Sequence, residues 1–188
     1  MIDKKGFRAI GKKLKQYDQN REKLIKKARD VLKLSKQLIY ALHRKNLKEA
    51  SNILKEVKKE KDNLDKIAKH NSRLVYEGSY SEACQEYVEA LCYYGFVKGK
   101  IPTISTLKVG EGDYLMGISD LTGELTRRAV TIANKDVKAF LKIKKLVEDV
   151  FGEFLKFDLR NGLLRKKADQ IKWNLKKLEG IGYDIERK

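Results

Sequence analysis

The segment QEYVEALCYYGF, residues 85–96, decides the fold because it is apolar around almost the whole circumference of a helix. On a helix that turns ~100° per residue, its apolar side chains leave only a narrow polar arc. That arc holds Glu86 and Glu89, together with Glu82 just before the segment. A helix of this kind is buried on nearly all sides, so we predict that residues 85–96 lie inside a helical bundle.

Outward from this segment, apolar residues recur at intervals of three and four in both directions, which is typical of helices. Two long helices meeting near Asn46 are predicted upstream, and two more downstream, separated by the turn residues DLRNG at 158–162. Pro102, the only proline, favours a helix boundary. No alternating strand pattern competes. We predict an all-α fold, an antiparallel bundle of about six or seven helices, forming a single domain over residues 1–188.

Several protein classes are excluded by simple sequence features. The first residues, MIDKKGFRAIGKK, lack the apolar region of a signal peptide, and no apolar run approaches the ~18 residues of a membrane span. We therefore expect a cytoplasmic protein without a membrane partner. Cys84 and Cys92 are eight residues apart on a predicted helix, so their backbones lie ~12 Å apart, too far for a disulfide. His43 and His70 have no ligand-type neighbours in sequence, which argues against a zinc finger.

The charge of the chain is strongly basic and unevenly distributed. The formal net charge is +17, made up of +8 over residues 1–35, +5 over residues 36–70 and +6 over residues 135–188, whereas residues 71–134 carry −2. Lysine-rich helix faces are often no more than solvated surface. A field this strong nevertheless attracts polyanions at physiological salt. We therefore predict that nucleic acid is the partner.

A second acidic helix is predicted in GEGDYLMGISDLTGELTRRAV, residues 110–130. Three of its acids share a face roughly opposite its apolar stripe: Asp113, Asp120 and Glu124. Gly117 and Gly123 flank that face and would let another backbone or a ligand approach closely. Two carboxylate-bearing helices are thus available to face one another.

Carboxylates that converge in a partly dry site repel each other and require a cation. One source is Lys or Arg from the outer helices, forming buried ion pairs. The other is one or two Mg²⁺ or Mn²⁺ ions, which take oxygen ligands and need neither His nor Cys. An E-x-x-E pattern on one helix and a D-x-x-x-E pattern on the other can supply the ligands of such ions. The spacing alone does not decide between the two sources.

The segments QEYVEA and DYLMGISDLTGELTRRAV together resemble the translin/Trax family, in particular Trax (translin-associated factor X) and its prokaryotic stand-alone relatives. With the C-terminal LRNGLLRKKADQIKWNLKKLEGIGYDI, the likeness covers roughly residues 70–188. The resemblance implies an all-α subunit that assembles into a hollow octameric barrel, binds RNA or DNA and, in the Trax branch, cleaves single-stranded RNA with a metal. The catalytic and metal-binding carboxylates that it implies are Glu86, Glu89, Asp120 and Glu124.

The four acids also indicate which branch of the family the sequence resembles. Translin resembles this pattern but has non-acidic residues at the positions of Glu86, Glu89 and Asp120, and is mainly a binding subunit. The resemblance therefore favours a Mg²⁺- or Mn²⁺-dependent endoribonuclease over two alternatives: a non-catalytic translin-type oligomer that binds single-stranded RNA or DNA, and a plain helical scaffold. Glu82 and Asp113 are expected to support the site or the fold. A translin-like partner is a further possibility that the resemblance raises.

Six basic residues are predicted to bind nucleic acid: Arg127, Arg128, Arg160, Arg165, Lys166 and Lys167. Arginine suits bidentate contacts with phosphate. For Arg127 and Arg128 the alternative is ion pairing with Glu124 or with an adjacent subunit. Tyr93 and Tyr94 are candidates for stacking on bases, but an aromatic residue on an interior helix is more often part of the core.

Overall fold

The computed structural model describes residues 2–187, which form seven α-helices and one short 3₁₀ helix. The elements are α1 Lys4–His43, α2 Leu47–Ala68, the 3₁₀ helix Ser72–Tyr76, α3 Gly78–Lys98, α4 Ile104–Leu107, α5 Glu111–Ile132, α6 Val137–Phe154 and α7 Leu163–Glu186. This part of the chain contains no β-strand. None of its helices is long and apolar enough to cross a membrane. The predicted all-α fold with six or seven helices is confirmed.

Local sequence signals set the helix boundaries. The side chains of Asp3, Asn46 and Asp136 accept hydrogen bonds from the backbone N–H three residues later, which caps the starts of α1, α2 and α6. Asn46 thus lies at the predicted junction of the two long N-terminal helices. Pro102 falls between α3 and α4, and the turn residues 158–162 separate α6 from α7. The predicted breaks are therefore confirmed.

The helix α3 lies at the centre of the bundle. It packs against α1 on one side and α5 on the other, while α2 packs on α1 and the pair α6 and α7 packs on α5. Val88, Cys92 and Tyr93 of α3 have no solvent exposure. One hydrophobic cluster runs from Leu24 on α1 to Leu178 on α7. The apolar segment 85–96 therefore occupies the interior position that its composition predicts.

The contact between α3 and α5 depends on Gly117. A Cβ atom at this position would lie 2.6 Å from the carbonyl oxygen of Gln85 and 2.6 Å from Cβ of Val88, closer than side-chain atoms pack. At Gly123, by contrast, the nearest atom to an added Cβ would be the amide nitrogen of Asn174, at 3.8 Å. The close backbone approach predicted for both glycines is thus present at Gly117 and absent at Gly123. The close approach at Gly117 brings together α3 and α5, the two helices that carry the acids.

We expect Gly117→Ala to lower the free energy of unfolding by about 1–3 kcal/mol, because the added methyl group must push α3 and α5 apart. Gly123→Ala is the matched control on the same helix. It should leave stability unchanged or raise it by up to about 1 kcal/mol, since alanine is the better helix former and space is available. Chemical denaturation of both variants at one protein concentration checks this. Equal stabilities of the two variants would contradict the account of the α3–α5 contact.

Candidate active site

The contact between α3 and α5 brings the four predicted acids together, and three of them line one cavity. Glu86 and Glu89 stand one turn apart on α3, and Asp120 and Glu124 one turn apart on α5. The cavity has a volume of about 290 Å³ and is lined by Lys36, Ile39, Tyr40, His43, Glu86, Glu89, Glu124 and Arg127. Asp120 is close enough for its charge to raise the pKa of both α3 acids. The predicted juxtaposition of the two acidic helices is therefore observed.

Basic side chains contact three of the four acids. The ammonium group of Lys36 on α1 lies 3.3 Å from Glu86 Oε1, and that of Lys167 on α7 forms an ion pair with Asp120. Glu124 meets the ring of His43. These contacts are the ion pairs from outer helices that the sequence left open as one way to neutralise the site.

Glu89 is the exception within residues 2–187, because no hydrogen bond or ion pair joins its carboxyl group to another side chain. Its pKa is raised to about 8, chiefly because the group is removed from water; the charges of Glu86, Asp120 and Glu124 add to the increase, and Lys167 opposes it. Burial also raises the pKa of Glu86, against the opposing effect of Lys36. The centre of the site is therefore an acid that lacks a cation of its own.

Glu124 is the opposite case, since its pKa is lowered by the hydrogen bond from His43. Nε2 of His43 is directed at Glu124 Oε2, while the Tyr93 hydroxyl lies 3.3 Å from Nδ1 on the other side of the ring. Arg128 Nη1 in turn donates to the Tyr93 hydroxyl at 3.5 Å. This hydrogen-bonded chain holds the Glu124 carboxylate in its ionised form and fixes its position.

His43 and Lys36 were not predicted as site residues. His43 was set aside because no ligand-type residue lies near it in sequence, yet 81 positions separate it from its partner Glu124. The available signal was on α1 itself, where Lys36 and His43 are seven residues apart and thus on one helix face. Tyr93 belongs to the core, as expected of an interior aromatic residue. Its hydroxyl group contacts His43, which in turn contacts Glu124.

The six basic residues predicted to bind nucleic acid divide into two groups. Arg127, Arg128 and Lys167 lie at the acids: Arg127 Nη1 is 3.6 Å from Glu124 Oε2, and Arg128 and Lys167 contact Tyr93 and Asp120. The ion-pairing alternative is thus present for Arg127. The other group, Arg160, Arg165 and Lys166, is exposed on the turn before α7 and on its first turn, without hydrogen bonds or ion pairs to the four acids.

The other two acids on these faces lie outside the cavity. Asp113 accepts a hydrogen bond from the Gln85 amide at 3.1 Å and another from the Ser81 hydroxyl, which ties the start of α5 to α3. Glu82 is exposed on α3. Asp113 therefore supports the packing of the two helices, as expected, and Glu82 contributes only its charge to the neighbouring Glu86.

The donor set suits a hard divalent cation, because three carboxylates and no thiolate line the cavity, with the Asp120 carboxylate close by. The half-buried Glu89 also has no counter-charge of its own. In the described part of the chain, however, no three His, Cys, Asp or Glu side chains are already drawn together into a metal-binding group. Lys36, His43 and Lys167 each hold one of the acids instead. The residues fit a divalent ion, which would replace these side chains as the partner of the acids.

Comparison with known proteins settles the family. The model of the Translin family matches residues 19–186. The chain belongs to the Translin family. Among its relatives, an uncharacterized protein of Methanocaldococcus jannaschii is 30% identical over 87% of this chain and 75% of its own length. Translin-associated protein X of Mus musculus is 25% identical over 96% of this chain and 77% of its own length, so the resemblance to Trax and its prokaryotic relatives is confirmed.

Solved structures support the same placement of this Translin-family chain. It superposes on the crystal structures of apo-NeC3PO and AfC3PO with a TM-score of 0.85 and 25% identity in each case, and 96% of both chains is covered. A further structure of AfC3PO, 24% identical to this chain with the same TM-score, is a complex with duplex RNA. The Translin of Gallus gallus, by comparison, matches only 39% of this chain, at 35% identity.

Proposed function

We propose that this Translin-family protein is a Mg²⁺- or Mn²⁺-dependent endoribonuclease that cleaves single-stranded RNA inside a hollow oligomer, with an octamer as the expected size. The observation that carries the proposal is Glu89, a half-buried acid among three others that has no cation of its own and whose pKa is raised to about 8. A fold stabilised only by ion pairs gains nothing from such a group, because burying an unpaired carboxylate costs stability. A site that binds a divalent ion needs it.

The proposed ligands are Glu86, Glu89, Asp120 and Glu124. When bound, a divalent ion supplies acidity to a coordinated water and stabilises negative charge on a phosphate oxygen. Side chains of the protein would orient the ligands and bind the substrate. His43, held by Tyr93, orients the Glu124 carboxylate. Arg127, whose side chain is 67% exposed at the edge of the cavity, is placed to bind a phosphate.

Lys36 and Lys167 have a second role in this proposal. Both ammonium groups neutralise acids of the site, and both are partly exposed. If the carboxylates held a divalent ion, the two ammonium groups would be free to contact the phosphate backbone instead. The acidic site then accepts RNA rather than repelling it. The basic outer helices, with net charges of +8, +5 and +6, attract the polyanion from a distance.

The comparisons support RNA as the partner. A protein of this fold, AfC3PO, has been solved with duplex RNA, and the relatives include both Translin and Translin-associated protein X. The second candidate function is a non-catalytic RNA- or DNA-binding oligomer of the translin type, which the ion pairs at Glu86, Asp120 and Glu124 favour. Cleavage of labelled single-stranded RNA in Mg²⁺ but not in EDTA separates the two, since a purely binding protein leaves the RNA intact in both.

Affinity for single-stranded RNA should fall steeply as salt rises, because each phosphate neutralised by Lys or Arg releases a counterion. The slope of log affinity against log salt is about −0.7 for each phosphate contact. Replacing Arg160 and Lys166 together by serine should make the slope shallower by about 1.4, if both contact phosphate. Fluorescence anisotropy from 50 to 300 mM salt, roughly the range in which such contacts are screened, measures this. An affinity that does not change with salt contradicts an electrostatic interface.

A further inference from the structure

A separate cavity lies between α2, the end of α3 and α4, on the side of α3 that faces away from the acids. Tyr94, one of the two tyrosines that the sequence offered for stacking on bases, lines this cavity. It follows Glu89 by five residues, which places the two side chains ~140° apart around the helix. The cavity is therefore distinct from the candidate active site.

One wall of the cavity is formed by a sharp turn at the end of α3. Gly99 ends the helix with a φ of 90°, in the left-handed region that favours glycine, and the N–H of Lys100 donates to the carbonyl oxygen of Gly95 at 2.8 Å. A Cβ atom at Gly95 would lie 2.5 Å from the carbonyl oxygen of Lys100 and 2.8 Å from Cδ of Pro102. Because Gly95 has no side chain, residues 99–102 fold back against α3 and close this side of the cavity.

The interior of the cavity is apolar and aromatic. Its volume is about 180 Å³. Pockets that enclose a whole drug-sized ligand measure ~300–1,000 Å³, so this one admits a single ring system and leaves the rest of a ligand outside. The apolar lining consists of Leu54, Tyr87, Leu91, Tyr94, Pro102 and Leu107.

The edge of the cavity is basic. Lys58 on α2 and Lys100 after α3 line it, whereas no Asp or Glu of the described chain does. The ammonium nitrogen of Lys98, one turn after Tyr94 on α3, lies 5.8 Å from the centroid of the Tyr94 ring. All three lysines are exposed, and within residues 2–187 none of their ammonium groups forms an ion pair. Such a site suits a ligand that carries both a flat ring and negative charge.

A nucleotide combines these two features. Its base has a π-face that stacks on aromatic side chains, and its phosphate attracts lysine ammonium groups. An acidic peptide supplies the charge without requiring the ring, and an apolar small molecule leaves the lysines without a partner. The cavity has room for the base but not for the sugar and phosphate, and three lysines surround it, so successive phosphates of a strand fit better than the single phosphate of a free nucleotide.

We propose that this cavity binds one base of single-stranded RNA against Tyr94, while the neighbouring phosphates contact Lys58, Lys98 and Lys100. The stem of a lysine is flexible, so the Lys98 ammonium group can move from the ring to a phosphate when a base stacks. The inference rests on the RNA partner of the proposed function. It adds a binding subsite on the side of α3 opposite Glu89.

Photo-cross-linking of the parent protein tests the subsite directly. Single-stranded RNA that contains thiouridine is bound in EDTA, where the proposed cleavage is absent, and is then irradiated. Mass spectrometry identifies the attached residue, which we expect to be Tyr94. Free thiouridine monophosphate at the same concentration should give far less product, since it offers one phosphate to three lysines. Cross-links found only outside the cavity overturn the proposal, and equal product from the monophosphate would assign the cavity to free nucleotides instead.

Variants of Tyr94 separate stacking from packing. Tyr94→Leu keeps an apolar side chain but loses the ring, so affinity for single-stranded RNA should fall about 5- to 150-fold, the effect of losing one stacked base. Tyr94→Phe keeps the ring and should bind like the parent. The matched control is Tyr183→Leu on α7, because Tyr183 is 59% exposed with Arg187 5.4 Å from its ring centroid but lies outside the cavity. It should also bind like the parent. Melting temperatures show whether each variant is folded.

The outcomes distinguish this subsite from the proposed function. If folded Tyr94→Leu binds RNA like the parent, the subsite is wrong although the proposed function stands. If the parent binds and cross-links through Tyr94 but does not cleave RNA in Mg²⁺, the subsite is supported and the endoribonuclease fails. If the parent binds no single-stranded RNA, the RNA partner and the subsite both fail.

Discussion

Glu89→Gln should reduce Mg²⁺-dependent cleavage of single-stranded RNA by about 100-fold or more, since losing several kcal/mol of metal-mediated stabilisation has an effect of that size. The amide keeps the size of the side chain but removes the charge that would hold the ion. Glu86→Gln and Asp120→Asn should lose cleavage to a similar degree. RNA affinity should persist in all three variants, because the basic surfaces are unchanged and one negative charge has gone.

The three variants should differ in stability, because their carboxylates have different partners. Glu89→Gln removes an unpaired, half-buried acid and should be at least as stable as the parent. Glu86→Gln leaves Lys36, whose side chain is 58% exposed, in contact with water at little cost. Asp120→Asn leaves Lys167, only 27% exposed, without its carboxylate and should be the least stable of the three.

The matched control is Glu82→Gln, on the same helix as Glu86 and Glu89 but exposed to solvent. It should cleave RNA like the parent and unfold at the same temperature. Cleavage, RNA affinity and melting temperature are measured on all four variants. Early unfolding of Glu89→Gln, or cleavage at the parent's rate, would show that the active-site assignment is wrong.

The second large effect concerns the dependence of stability on pH. Burial and three neighbouring acids raise the pKa of folded Glu89 to about 8, from 4.5 for the free side chain. Between these two values the unfolded chain loses the proton while the folded chain keeps it, so the parent should lose stability as pH rises from 4.5 to about 8. Glu89→Gln lacks this group. The free energy of unfolding of this variant should therefore exceed that of the parent. The difference should grow through that range, up to about 5 kcal/mol at alkaline pH.

Chemical denaturation at pH 5 and pH 8, roughly the two ends of this titration, measures the difference. EDTA is included because a bound divalent ion would offset the repulsion among the acids. All proteins are compared at one concentration, since assembly contributes to stability. Glu82→Gln should follow the parent at both pH values. A constant difference between Glu89→Gln and the parent at the two pH values would mean that folding does not raise the pKa of Glu89.

The fold was predictable because each of its signals is local. Apolar spacing identifies the long helices, Asn46 caps α2, and the nearly complete apolar surface of residues 85–96 places α3 in the interior. The placement of the acids was predictable as well. Their positions on α3 and α5 follow from their spacing, and the two helices pack closely at Gly117.

The partners of the acids were not predictable, because they come from α1 and α7 and depend on how the helices pack. Lys36, His43 and Lys167 each meet a different acid, and no local pattern shows which one. Nor does spacing show that Glu89 remains unpaired. The exposed start of α1 was also missed, since apolar periodicity indicates a buried face without showing whether the same chain covers it.

Cleavage by the purified parent protein is the most direct test of the metal-dependent ribonuclease. End-labelled single-stranded RNA is incubated with the protein in Mg²⁺, in Mn²⁺, in EDTA, and in EDTA followed by excess Mg²⁺, with Glu89→Gln in parallel. We expect internal cleavage with either ion, none in EDTA, recovery when Mg²⁺ is restored, and at least about 100-fold less product from Glu89→Gln. Intact RNA under every condition, or equal cleavage in EDTA and Mg²⁺, would contradict it.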